Sequence, residues 1–232
     1  MKISPFNIIY NIILAVSILL IILVVSSCKS NSGKPNYPVT EEDAAEVVSN
    51  AVLSQYGGLL GHINSGVQLE QKTFCGVFRD SLIIWTNQGA STPLSGHNSL
   101  QWHYQRNCAD GSLNGTYSGG INYDGPRFTA DNHCNATITC TPQKASVYKA
   151  TIILNLQGTD HKKAVGINSL KTDINIQATD VIVDTSSGQI VSGQAKVYIH
   201  ISYYDYSGTF KFLGNHLATL TLNSGIVYNL NL

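Results

Sequence analysis

The side chains best able to do chemistry in this chain are its five cysteines, and their positions divide them. Cys28 follows Val25, Ser26 and Ser27 at the end of an apolar run that begins near Ile8. Two small serines let a peptidase close on the backbone, and the thiol after them can carry lipid. Cys75, Cys108, Cys134 and Cys140 remain, an even number, which in an exported chain reads as two disulfides with three pairings open. The spacing favours Cys134 with Cys140 as a short local loop and Cys75 with Cys108 between early strands. A zinc site on Cys134, Cys140 and His133 is the competing reading, but it lacks a C-x-x-C pair and a spaced histidine partner. Asp110-Gly111-Ser112-Leu113-Asn114-Gly115 copies the first half of a calcium loop; its twelfth position is Ile121 where a bidentate carboxylate is required, so a turn between strands is expected. No metal or other cofactor is expected.

Serine, histidine and aspartate are present, yet no arrangement organises them into a hydrolase. There is no G-x-S-x-G elbow, H-E-x-x-H, P-loop or dinucleotide fingerprint, and the chain reads as a non-enzyme. Tyr198, Tyr203, Tyr204, Asp205 and Tyr206 cluster around one strand end, and Trp85 and Trp102 lie earlier. Aromatic faces beside carboxylates and amides can stack on sugars or seat a protein, so Trp102, Tyr198, Tyr204 and Tyr206 are the candidate ligand contacts. Against this, tyrosine is a good strand former, and Tyr203 falls on the expected core face. His103 and His200 read as solvent-face strand residues.

The elements that would position these groups begin with the apolar run. Lys2 supplies a short positive region, and Ile8–Val25 is at the lower limit of a membrane span, about 18 residues. A polar, proline-containing KSNSGKPNYP follows. Val25-Ser26-Ser27-Cys28 resembles the lipobox of bacterial lipoproteins: aliphatic, small, small, cysteine. The resemblance covers only the first 28 residues. It implies cleavage between Ser27 and Cys28, diacylglycerol on the thiol and an acyl group on the new amine, enough chains for stable anchoring. Lys29, where an aspartate often marks inner-membrane retention, points to the outer membrane of the cell envelope. The expected organisation is a signal peptide over 1–27, a lipidated cysteine and flexible tether over 28–39, and one domain over 40–232.

Within that domain Thr40-Glu41-Glu42-Asp43 reads as a helix N-cap with an acidic first turn. Ala44, Val47, Val48, Ala51 and Val52, then Leu59, Leu60, Ile63 and Val67, keep a helical period across Gly57-Gly58. This predicts one helix with a soft point, or two, ending before about Leu69. From Thr73 the period becomes alternating. Strands are expected around Leu82–Trp85, Leu100–Arg106, Ala150–Leu154, Ile174–Val183 and Ala195–Tyr203, then through Phe210, Phe212, Leu220, Leu222 and Ile226 to Leu232. Turns are expected at Asp110-Gly111, Asn114-Gly115, Gly119-Gly120, Asp124-Gly125, Gly158-Thr159-Asp160 and Asp205–Gly208. The fold class is mainly β with an N-terminal helix: a large twisted antiparallel sheet or half-barrel meander with the helix packed on it.

Charged residues are 12% of the chain and balance at 14 of each sign. That is about half the usual share, and it gives no basic surface for nucleic acid. Three functions fit: a lipid-anchored envelope protein that binds or scaffolds without catalysis, a carrier holding lipid or another apolar ligand between sheet and helix, and a glycan-binding or glycan-processing surface protein. The partners expected are the membrane, through the N-terminal lipid, and a protein, glycan or lipid ligand.

Overall fold

The computed structural model describes residues 38–53, 57–88, 95–163, 168–187 and 189–232. The expected Ser27–Cys28 cleavage and lipidation site and most of the expected tether lie outside the described residues. Two helices, α1 (Glu41–Val52) and α2 (Leu59–Lys72), precede ten strands: β1 (Phe78–Gln88), β2 (Ser95–Arg106), β3 (Leu113–Asp124), β4 (Phe128–Lys144), β5 (Val147–Lys162), β6 (Asn168–Asp184), β7 (Gln189–Ile201), β8 (Tyr204–Gly214), β9 (Leu217–Leu222) and β10 (Val227–Asn231). Every strand pairs with its sequence neighbours, antiparallel throughout, in the order β1 to β10. The sheet does not close, so β1 and β10 are edges. Among the described residues no helix is long and apolar enough to cross a membrane.

Alternation decides which face is inner. Trp102, Tyr117, Ile138, Ile152, Ile174, Val197, Phe210 and Leu220 are all buried, and their odd- or even-numbered neighbours face out. The inner face is covered by the helices, α1 against β7 and β9 and α2 against β3, β4 and β5. Val47, Val48, Val52, Leu59, Ile63 and Val67 are at most 2% exposed and share one core with the strands. At roughly 1.5–3 kcal/mol per large apolar side chain removed from water, this contact holds the helices in place.

The local signals at the helix start hold. Thr40 Oγ1 accepts from the Asp43 N–H and the Asp43 carboxylate accepts from the Thr40 N–H, a full capping box. The expected soft point is a break into two helices: Gly57 has φ +65°, and a Cβ on Gly58 would lie 2.4 Å from the Ala51 carbonyl oxygen. α2 runs past Leu69 to Lys72.

Ion pairs fasten both ends of the helical layer. Asp43, 1% exposed, takes Arg127 at 2.6 Å and Lys162 at 2.8 Å, and Arg127 also reaches Glu42 and Glu46. Burial alone would raise the Asp43 carboxyl, but hydrogen bonds from Lys162 and Thr40, with the Lys162 charge, hold it below its ordinary value. At the other end Glu70 pairs with Arg106 at 2.8 Å. Arg106 also donates to the carbonyls of Thr73 and Gly111, beside the Cys75–Cys108 disulfide.

Several expectations are corrected. Cys134 and Cys140 are both free and buried; six residues apart on the single strand β4, they are separated by about 20 Å at the rise of an extended chain and cannot be bridged. Asn114-Gly115 and Gly119-Gly120 lie inside β3 and Gly158-Thr159-Asp160 inside β5. Gly119 is there for a close approach, since a Cβ would sit 2.0 Å from the Ser99 carbonyl oxygen. The expected reversal at Asp205–Gly208 is a turn at Ser202-Tyr203, with Ser202 at φ +57°. Tyr203 therefore leaves the core face and is 55% exposed.

Candidate functional site

The outer face becomes a site through register. Strand pairing lines up one residue per strand into a transverse row: Gln101, Ser118, Asn135, Asn155, Asn175, Tyr198 and Ser207, on β2 to β8, with Leu82 of β1 at its end. The members are amides and hydroxyls without a formal charge. Two hydrogen bonds orient the amides in one direction: Gln177 Nε2 donates to Asn175 Oδ1 at 2.8 Å, and Asn175 Nδ2 donates to Asn155 Oδ1 at 2.6 Å. Such chains polarise their members and strengthen the terminal donor.

The adjacent row carries His133, Gln157, Asp173, His200 and Asp205. Gln157 Nε2 donates to Asp173 at 3.0 Å, and His200 Nδ1 pairs with Asp205 at 2.7 Å. The hydrogen bond to Asp205 is the main cause of a raised His200 pKa, which favours the imidazolium. The two rows border an open cleft of about 320 Å³ lined by Asp173, Asn175, Tyr198, His200, Asp205 and Ser207, among others. Tyr198 is 51% exposed there, with an aromatic face available for stacking.

The sequence candidates are separated by the fold. Tyr198 is on the outer face. Tyr204 and Tyr206 pair with Ile201 and Ile199, pack against the core from the other side, and Tyr206 donates to the Val39 carbonyl. The tyrosines therefore form no aromatic platform. Trp102 is fully buried, its ring stacked on Tyr117 at 4.4 Å, and Tyr117 in turn lies 4.6 Å from the His62 ring. Its expected ligand contact is replaced by a role in the core. Asn155, Asn175, Gln157 and Asp173 are site residues that sequence reasoning passed over; they are ordinary polar members of alternating strands until register places them side by side.

The chemical potential of the other groups is low. Burial pushes the Cys134 and Cys140 thiols up to about 12, so neither forms a nucleophilic thiolate at neutral pH. Asp160 is fully buried and accepts from the Tyr123 and Thr172 hydroxyls. Burial raises its pKa, but its neighbours Tyr123 and Thr172 are closed off too, and the three act as a structural network. His103 pairs with Asp80 at 2.6 Å on the surface, as His200 does with Asp205. No serine or cysteine side chain bonds either histidine among the described residues, and these residues include no group of three metal-binding side chains. In place of a calcium loop, Asp110 accepts from the Ser112 N–H and hydroxyl in a local turn.

No protein family, curated protein or solved structure matches the chain.

Proposed function

We propose that this is a lipid-anchored envelope protein, held through Cys28, whose sheet domain binds a neutral, hydroxyl-rich polymer on its outer face without transforming it. The observation that carries the reading is the row Asn135–Asn155–Asn175–Tyr198. Neighbouring strands are about 4.8 Å apart, close to the length of one sugar ring, so the row offers one amide per ring and a tyrosine face at its end. Its lack of formal charge suits a neutral glycan, whose hydroxyls both donate and accept. The carrier reading is less well supported: α1 and α2 fill the inner face with their own apolar side chains, in the position an apolar ligand would need.

Co-sedimentation with insoluble neutral polysaccharide tests the binding. Wild-type protein is expected to bind and Tyr198→Ala to bind about fivefold more weakly, the worth of one stacked ring at roughly 1 kcal/mol. Unchanged binding by the variant, or none by the wild type, removes the reading. The anchor is tested separately by intact mass after membrane extraction. A mature chain beginning at Cys28 with acyl mass added is expected, and Cys28→Ser should abolish both changes; an unprocessed, unacylated wild-type chain contradicts it.

A further inference from the structure

The least ordinary surface of the molecule is the free edge of β1. Lone apolar residues on a surface need no explanation, but Phe78 is 79% exposed, Leu82 59% and Ile84 60%, all on the outer face of one strand, with Phe74 and Val77 exposed just before it. Among the described residues β1 pairs only with β2, which leaves the outward backbone groups of an 11-residue strand without a strand partner there. Native edges of this length are usually blunted by lysine, proline or a bulge. Phe78–Gln88 has no lysine or proline, and its register with β2 is unbroken. The opposite edge, β10, has five residues.

We infer that two copies of this chain join edge to edge through β1, antiparallel about a two-fold axis at Leu82, into one continuous sheet. The strand is complementary to its own reversed image. With the axis at Leu82, Leu82 meets Leu82 across the outer face and Phe78 lies beside Thr86. On the inner side Arg79 comes opposite Trp85, where a guanidinium can lie over the indole, and Ser81 opposite Ile83. Asp80 falls opposite Ile84, its carboxylate already in contact with the His103 ring of β2 at 2.6 Å. Moving the axis to Arg79 or Asp80 would set like charges directly opposite, which destabilises a strand pair. An isologous contact of this kind closes at two subunits and leaves no further edge of the same length.

A second consequence favours this partner. Leu82 is the residue at which the row Gln101–Ser118–Asn135–Asn155–Asn175–Tyr198 ends. An axis through Leu82 sets the rows of the two copies end to end, doubling the length of polar surface along one line. The pairing itself stands on the edge of β1 alone and does not require the proposed ligand.

The test uses the full chain in mild detergent, by sedimentation equilibrium, together with a short bismaleimide cross-linker on single-cysteine additions. The wild type is expected to be a dimer. Leu82→Lys, which places a lysine on an exposed edge, should weaken it at least tenfold without altering the far-UV circular dichroism. Leu82→Cys should cross-link to a covalent dimer, whereas Thr137→Cys, in the middle of the outer face, should not. A monomer at tens of micromolar, a dimer indifferent to Leu82→Lys, or cross-linking at Leu82→Cys no greater than at Thr137→Cys would each overturn the inference. Should Leu82→Lys misfold, the cross-linking comparison decides alone.

Discussion

Trp102→Ala is expected to lower the free energy of unfolding by about 4 kcal/mol, the middle of the range for deleting a fully buried aromatic. Tyr198→Ala is expected to change it by less than about 0.5 kcal/mol. The contrast follows from where the sheet puts two residues that look alike in the sequence. Trp102 has no exposed surface, stacks on Tyr117 and lies under α2 through the Tyr117–His62 contact. Alanine there leaves a void beneath the helix, and neither ring neighbour can collapse into it without losing its own partner. Among the described residues the Trp102 indole N–H has no hydrogen-bond partner, so Trp102→Phe gives up no hydrogen bond there and should cost far less than alanine. Chemical denaturation of the three variants measures this. Equal losses for Trp102→Ala and Tyr198→Ala would mean that the inner and outer faces are wrongly assigned.

Acid is the second large effect. His62 is buried on α2, and loss of hydration pushes its pKa down to about 3 from 6.5. The unfolded chain takes up a proton near pH 6.5, whereas the native chain does not until about pH 3. The contribution is therefore intact above pH 6.5 and lost as the pH falls toward 3, by about 1.4 kcal/mol per pH unit. Between pH 7.5 and pH 4.5 the loss is about 2.7 kcal/mol. Its ring contact is Tyr117, and the carboxylate further along the helix, Glu70, is engaged by Arg106, so among the described residues neither of these compensates an imidazolium. His62→Phe keeps a ring against Tyr117 and should remove this part of the acid dependence. Stability that falls with the same slope in His62→Phe as in the wild type would assign the acid limb to other groups.

Much of the architecture can be read from local chemistry. The Thr40 cap is legible because the capping box is contained in four residues. The meander is legible because alternation continues from β2 to β9, and the bulge in β6 leaves a trace: Ile174 and Ile176 occupy one parity, Val181 and Val183 the other, and the register shifts between Thr179 and Ile182 around Asp180 at φ +54°. The turns were the weak part, because glycine has two uses. At Asp110-Gly111 it serves a turn; at Gly119 it admits the neighbouring strand's backbone, and the sequence does not say which.

The site was less legible than the fold, and for a different reason. Asn155 and Asn175 are twenty residues apart, and their amides meet only because the β5–β6 register, unbroken from Lys162–Asn168 to Ile152–Ala178, stands them opposite each other. Proximity along the chain made Tyr198, Tyr204 and Tyr206 look like a group, whereas the two-residue turn at Ser202-Tyr203 switches the parity that faces the core and sends Tyr198 to one face, Tyr204 and Tyr206 to the other. Cys134 and Cys140 failed as a pair on the same ground, since nearness in sequence becomes distance once a strand extends.

The most direct measurement of the central claim is a backbone amide chemical-shift map during titration with a soluble neutral oligosaccharide. Perturbations are expected at Asn135, Asn155, Asn175, Tyr198 and His200, with Trp102, Ile63 and Phe210 unmoved. Shifts centred on those three buried residues, or none at saturating sugar, would contradict an account in which the outer sheet face does the binding and the helices close the inner one.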